Sequence, residues 1–212
     1  MNSPKFYDPT DATSIGRNRL PHWSQSERTY FATFRLADSV PAEKMHRHKE
    51  ERAAWVAVQG PRPWPDSLER EYYRRFFGTV ERWMDLGTGE CVLRDAENAK
   101  VVEECLAFFE GQRSVLHAWV VMPNHVHVLF ETIGVVTPGE LIGSWKGYSA
   151  RRINERMGRS GALWQKSYFD RMIRDWEHFG RCVRYIRRNP EKAKLGAGEF
   201  LVGGSELAGR FV

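Results

Sequence analysis

Cysteine is scarce in this chain and forms no pattern: Cys91, Cys105 and Cys182 are odd in number, widely spaced and make no CxxC. This excludes a disulfide framework or a zinc ribbon and leaves three reduced thiols, read as small buried hydrophobes. Long apolar runs are missing too. Nothing approaches the roughly 20 apolar residues that a membrane-spanning helix needs, and the opening MNSPKFYDPTDATS has no apolar signal-peptide region, so a cytoplasmic protein is expected. No internal repeat or low-complexity tract occurs. The 212 residues, 42% of them hydrophobic, suffice for one domain with a large insertion, and no second independent core is expected.

Positive charge, by contrast, is concentrated. The formal balance is +5, yet residues 145–194 hold 14 Lys+Arg against 5 Asp+Glu, a net +9, while the remainder holds 18 against 22, a net −4. Trp145, Tyr148, Trp164, Tyr168, Phe169 and Trp176 are interleaved with this charge. Such a composition suits a surface that tracks phosphates and stacks bases, and it equally suits a solvated basic face over core aromatics.

Residues 1–28 read as irregular, and TYFATFRL (29–36) as the first strand. Helices are expected over 41–55 and 66–86, the second with Asp66 as N-cap and Glu69 at N3, separated by the proline-rich GPRPWPD. A further helix over 95–111 ends at Gly111, and strands over 118–122 and 125–131 flank the turn dipeptide Pro123-Asn124. TPGE (137–140) is a capping box opening a helix to about Met157. A strand over 163–173 and a last helix from Asp175 follow, the latter expected to stop near Asn189 because Pro190 disfavours helical geometry in the residue before it. The order predicts an α+β sandwich, a small antiparallel sheet with helices on one face.

MPNHVHVLFE (122–131) places two histidines inside an otherwise apolar run. On a strand His125, His127, Leu129 and Glu131 share one face and Val126, Val128 and Phe130 the other, so the imidazoles can chelate one cation while Val126 anchors them to the core. The alternative is a pair of satisfied sheet residues. His46 and His48 repeat the H-x-H spacing, but on a predicted helix such residues lie ~200° apart, and no metal is assigned to them.

On the last helix Phe179, Cys182, Val183 and Ile186 form an apolar stripe. Tyr185 lies ~110° from its centre, and Asn189 follows one turn later on the same flank, with Arg181, Arg184 and Arg188 nearby. A hydroxyl able to attack, an amide able to ligate and guanidiniums able to hold phosphate thus share a patch. A plain surface helix ending at Asn-Pro would carry the same letters.

Four segments in order, HAWVVMPNHVHVLFE, SWKGYSARRIN, GALWQKSYFDRMIRD and VRYIRRNPEKAKL, resemble the HUH single-strand DNA transposases of the single-tyrosine, IS200-like class, and most of all the REP-associated tyrosine transposases of bacteria. The resemblance covers about 91–195 plus the first strand. It implies one ferredoxin-like domain over 1–212, with a helical insertion at about 38–88 and a Gly-rich tail from about 196. It also implies Mg or Mn bound by His125, His127 and Asn189, with Tyr185 as the nucleophile forming a 5′-phosphotyrosine at palindromic single-stranded or hairpin DNA. Lys146, Arg151 and Arg152 are the expected phosphate contacts, joined by Arg181, Arg184 and Arg188. Tyr168 is the rival nucleophile. The insertion is expected to leave the catalytic motifs untouched. Monomer and homodimer both remain open, and a nucleoid-associated location is implied.

Three other classes compete. A cupin-type oxygenase also uses H-x-H followed by a glutamate, here Glu131, but the later cupin histidine segment is missing, since only His178 follows. A non-catalytic regulator that binds hairpin nucleic acid would keep every binding feature. A structural protein would keep only the fold. If the +9 segment holds single-stranded DNA, affinity should fall steeply with salt, with a slope of about −0.7 per neutralised phosphate; a flat profile in a salt titration would show that the segment faces elsewhere.

Overall fold

The computed structural model describes residues 3–17, 21–60 and 64–211. Strands β1 (Ser14–Arg17) and β2 (Pro21–Ser24) pair as a ribbon in the region read as irregular. Strand β3 (Thr29–Arg35) leads into the insertion: α1 (Ala42–Gln59), α2 (Asp66–Tyr72), a π-helical turn (Tyr73–Phe77) and α3 (Gly78–Asp85). Pro65, not Asp66, precedes α2, and no side chain caps it. Of the GPRPWPD spacer, residues 61–63 lie outside the described residues.

Helix α4 (Ala96–Ala107) starts on Asp95, whose carboxylate accepts from the Glu97 and Asn98 amides. Strands β4 (Ser114–Val121) and β5 (His125–Thr132) follow, then α5 (Pro138–Arg156), opened by the expected Thr137/Glu140 capping box. The 163–173 segment contributes only β6 (Phe169–Met172) to the sheet, with Trp164 making an isolated bridge to Leu36. The chain closes with α6 (Trp176–Lys192), β7 (Leu201–Gly204) and α7 (Glu206–Gly209).

The five-stranded sheet has the order β6-β3-β5-β4-β7, every pair antiparallel. Elements β3-α4-β4-β5-α5-β6 give the split βαβ pattern of a ferredoxin-like sheet, to which β7 adds an edge. Strand alternation sorts the core into two halves. Tyr30, Ala32, Phe34, Val126, Val128 and Phe130 meet Leu106, Leu141, Ile142 and Trp145 of α4 and α5. Phe31, Leu129, Ala118 and Val120 meet Phe179, Cys182, Val183 and Ile186 of α6. Helices therefore cover one face as expected, and α6 covers the second, because β3, β4 and β5 carry apolar side chains on both sides that would otherwise meet water. Each large side chain fully buried in this way contributes roughly 1.5–3 kcal/mol.

One further expectation is corrected. Helix α6 runs through Pro190 to Lys192, because Asn189 and Pro190 are buried with the apolar stripe and the missing N–H falls in the last turn, where few backbone bonds remain to be lost. The Gly-rich tail, to which no element was assigned from sequence, contributes β7 and α7. Its β7 pairs with β4, and Ala208 is buried in the α6 half of the core. All three cysteines are free and buried.

A Cβ placed at Gly203 would run into the Trp119 ring. Gly203→Val should therefore destabilise the protein by about 1–3 kcal/mol, read as a lower urea midpoint at unchanged slope; an unaltered midpoint would mean that β7 is not held against β4.

Candidate active site

His125 and His127 project from central strand β5 on the α6 side, in line with Leu129, as the two-residue period requires. Their Nε2 atoms are 3.1 Å apart. Each ring is held from behind. Asn124 donates its Nδ2 to the carbonyls of Met84 (3.2 Å) and Thr88 (3.1 Å), which fixes its Oδ1 towards His125 Nδ1 at 2.8 Å. That oxygen accepts the Nδ1 proton and leaves Nε2 with a lone pair. Thr33, opposite His127 in the β3–β5 register, places Oγ1 2.7 Å from His127 Nδ1.

Helix α6 brings the other two expected residues to the same point. Asn189 Nδ2 is 3.3 Å from His127 Nε2, and its Oδ1 is buried without a partner. The Tyr185 ring is 5.2 Å from His127 and packs edge-on to Phe31, its hydroxyl also buried without a partner. Lys192 Nζ lies 5.9 Å from the Tyr185 ring centre. Tyr168 is elsewhere: it packs on the α5 half of the core, next to Lys146 and Gly139. Of the helical pair, His48 is bound to the Phe76 carbonyl (3.0 Å) and His46 faces Glu50, so they do not converge.

Sequence reading missed Glu81, which lies on α3 of the insertion. It is 3% exposed, neither carboxylate oxygen has a hydrogen-bond partner, and Oε2 is 3.4 Å from His127 Nε2. The insertion therefore does reach the histidine pair, contrary to expectation. No periodicity distinguishes Glu81 from the exposed acids of α1, so no local signal marks it. Asp85, one turn later, pairs with Lys192 of α6 at 2.6 Å and ties α3 down. With this cover in place His125, His127 and Asn189 are at most 1% exposed.

Burial drives the protonation states. It lowers His125 to about 3 and His127 well below its ordinary range, the second helped by its neighbour His125, so both are neutral. Burial, then Asp85, raises Glu81 well above the usual carboxylate range. The Glu81–His127 contact is therefore not an ion pair, since His127 carries no proton to make it one. Two ligands on one cation at ~2.1 Å stand ~3.0–3.4 Å apart, which is the spacing found around His127 Nε2. Among the described residues no three His, Cys, Asp or Glu groups are gathered as a preformed metal centre; the contacts are pairwise about His127, and the amide of Asn189 completes them.

The basic residues divide. Lys146 is turned inward, donating to the carbonyls of Gln165 (2.8 Å) and Lys166 (3.0 Å). Arg151 lies over the Tyr148 ring at 5.0 Å and Arg152 pairs with Glu104 at 3.5 Å, both on α5 and across the sheet from the histidines. Arg181, Arg184 and Arg188 are exposed on α6, Arg181 paired with Glu177. A second basic feature went unread. A cavity of 760 Å³ between the insertion and the β3–β6 edge is lined by Arg35, Lys49, Arg52 and Lys166 with Tyr72 and Phe77, and it reaches Thr33. No helix among the described residues is long and apolar enough to cross a membrane.

Residues 91–189 match the model of the family described as "Transposase IS200 like". Similar solved structures include a REP-associated tyrosine transposase bound to a REP hairpin, at 15% identity and TM-score 0.43 over 82% of this chain and 74% of that one. Another is a transposase-like protein of Deinococcus radiodurans R1, at 16% identity and TM-score 0.37 over 78% and 93%. Among curated proteins none matches the chain significantly.

Besides the site pair, burial holds His117 at about 4 and His178 at about 3. A histidine neutral in the folded state and protonated when unfolded contributes stability above pH ~6.5 that is lost on acidification, at about 1.4 kcal/mol per pH unit for each group. Urea unfolding of the metal-free protein should show stability falling steadily between pH 6.5 and pH 4.5; constant stability over that window would contradict the buried neutral state.

Proposed function

Because residues 91–189 belong to the IS200-like transposase family, we propose that this chain cleaves and rejoins single-stranded DNA at hairpin sites with Tyr185 as nucleophile. The observation carrying this reading is the gathering of a tyrosine with a buried, unpartnered hydroxyl, two neutral imidazoles with Nε2 turned inward and an unpartnered amide oxygen around His127. Mg or Mn held by His125, His127 and Asn189 would supply Lewis-acid polarisation of a non-bridging phosphate oxygen. The buried orphan Oδ1 of Asn189 and the 3.1 Å imidazole spacing fit such an ion.

The chain's own residues do the rest. Tyr185 Oη attacks phosphorus, forming an O–P bond as the P–O3′ bond breaks, and the phenol proton ends on the departing 3′-oxygen. The phosphodiester energy is kept in the 5′-phosphotyrosine, so the free 3′-hydroxyl can later reverse the step. Lys192, over the Tyr185 ring, stabilises negative charge developing on the phenol. Asn124 and Thr33 hold both imidazoles with Nε2 inward. The exposed arginines of α6 and the basic, aromatic cavity at the β3–β6 edge are the surfaces for the strand.

One observation favours a second reading, a hairpin-binding regulator that does not cut. The Tyr185 hydroxyl is buried, so a strand reaches it only after a local rearrangement. The two readings separate on a denaturing gel. Wild type incubated with Mn and a hairpin oligonucleotide from the flanks of its own gene should give a covalent protein–DNA adduct. Tyr185→Phe should abolish it, a loss of several orders of magnitude in cleavage rate, with fold and hairpin binding retained. Tyr168→Phe should leave the adduct intact. Absence of adduct from wild type would favour the regulator; an adduct lost only in Tyr168→Phe would move the nucleophile to the other face of the sheet.

A further inference from the structure

Glu81 presents a buried carboxylate that the family motifs do not include. Its two oxygens lack hydrogen-bond partners, and the nearest ammonium of α6, Lys192, is engaged by Asp85 at 2.6 Å. Glu81 Oε2 instead points at His127 Nε2, 3.4 Å away, where His125 Nε2 (3.1 Å) and Asn189 Nδ2 (3.3 Å) also meet. Both Nδ1 atoms are engaged, by Asn124 and Thr33, so the two Nε2 atoms are turned inward towards each other, with the Asn189 amide and the Glu81 carboxyl beside His127. A buried carboxyl with both oxygens unpartnered is costly, and a cation at this point offsets that cost. Two imidazoles and an amide also bring no negative charge, whereas Mg and Mn favour carboxylate oxygen. Separations of 3.1–3.4 Å are those of neighbouring ligands on one ion.

We propose that Glu81 is a further ligand of the divalent ion held by His125 and His127, so that the helical insertion completes the metal site through α3. The inference rests on the reading of those histidines and Asn189 as ligands. It gives the insertion a role within the reaction centre: the pairing of Asp85 with Lys192 sets α3 against α6 and so sets the reach of Glu81. A phosphate oxygen of an incoming strand is the same kind of donor as Glu81 Oε2 and can take its position once α3 has moved.

The test uses the full-length metal-free protein, titrated with manganese chloride by calorimetry and followed by thermal unfolding with and without manganese. Wild type should bind one ion and unfold at a higher temperature with it. Glu81→Gln keeps shape and removes charge. It should weaken affinity by about tenfold or more, shrink the manganese-induced rise in Tm, and leave the metal-free protein at least as stable as wild type. Glu51→Gln, an exposed acid on α1, should change none of these. If Glu81→Gln binds manganese as wild type does while His125→Ala does not bind, the role of Glu81 falls and the histidine site stands. If His125→Ala binds as tightly as wild type, or wild type does not bind at all, the histidine reading falls and takes Glu81 with it. A metal-free Glu81→Gln protein with a clearly lower Tm than wild type would make the carboxylate a structural element and overturn the proposal.

Discussion

The two-residue period of β5, a central strand packed on both faces, governs how this molecule is assembled. Val126, Val128 and Phe130 are committed to the α4/α5 side by the core they join, so His125, His127 and Leu129 must face α6. A slip of one residue would drive both imidazoles into an apolar core with no partner and expose the apolar set to α6. Register and site therefore enforce each other. Pairing with β3 then sets Thr33 opposite His127, and the turn before β5 places Asn124 behind His125.

Once the imidazoles are inside, burial decides their chemistry. Loss of water keeps both neutral, which is the state a metal ligand needs, and the hydrogen bonds on Nδ1 decide which nitrogen carries the lone pair. The same loss of water makes the unpartnered atoms of Glu81, Asn189 and Tyr185 costly, since each buried polar group without a bond lacks the solvent it had when unfolded. Three such groups around one point set this place apart from ordinary core.

The insertion changes how the basic segment is understood. Charge counted along 145–194 is one block, but α5 and α6 lie on opposite faces of the sheet, so Arg151 and Arg152 cannot share a surface with the histidine pair. Lys146 is turned inward onto carbonyls. Arg181, Arg184 and Arg188 stay on the site's side, and the insertion adds Lys49 and Arg52 to a cavity that the linear charge pattern did not mark.

Local chemistry was legible in the letters. Alternation in HVHVLFE placed both histidines on one face, the Thr137/Glu140 pair opened α5 where expected, and the one-turn spacing of Tyr185 and Asn189 put both on one flank of α6. These follow from interactions within a few residues, where period and capping act directly on the backbone. Other features depended on distant partners. The continuation of α6 through Pro190 came from burial against the sheet, and β7 formed from a Gly-rich tail because β4 offered a free edge and Trp119 a place for Gly203. Glu81 is the clearest case. Nothing near it in sequence separates it from a solvated helix acid, and only the packing of α3 against α6 and β5 brought its carboxylate to His127.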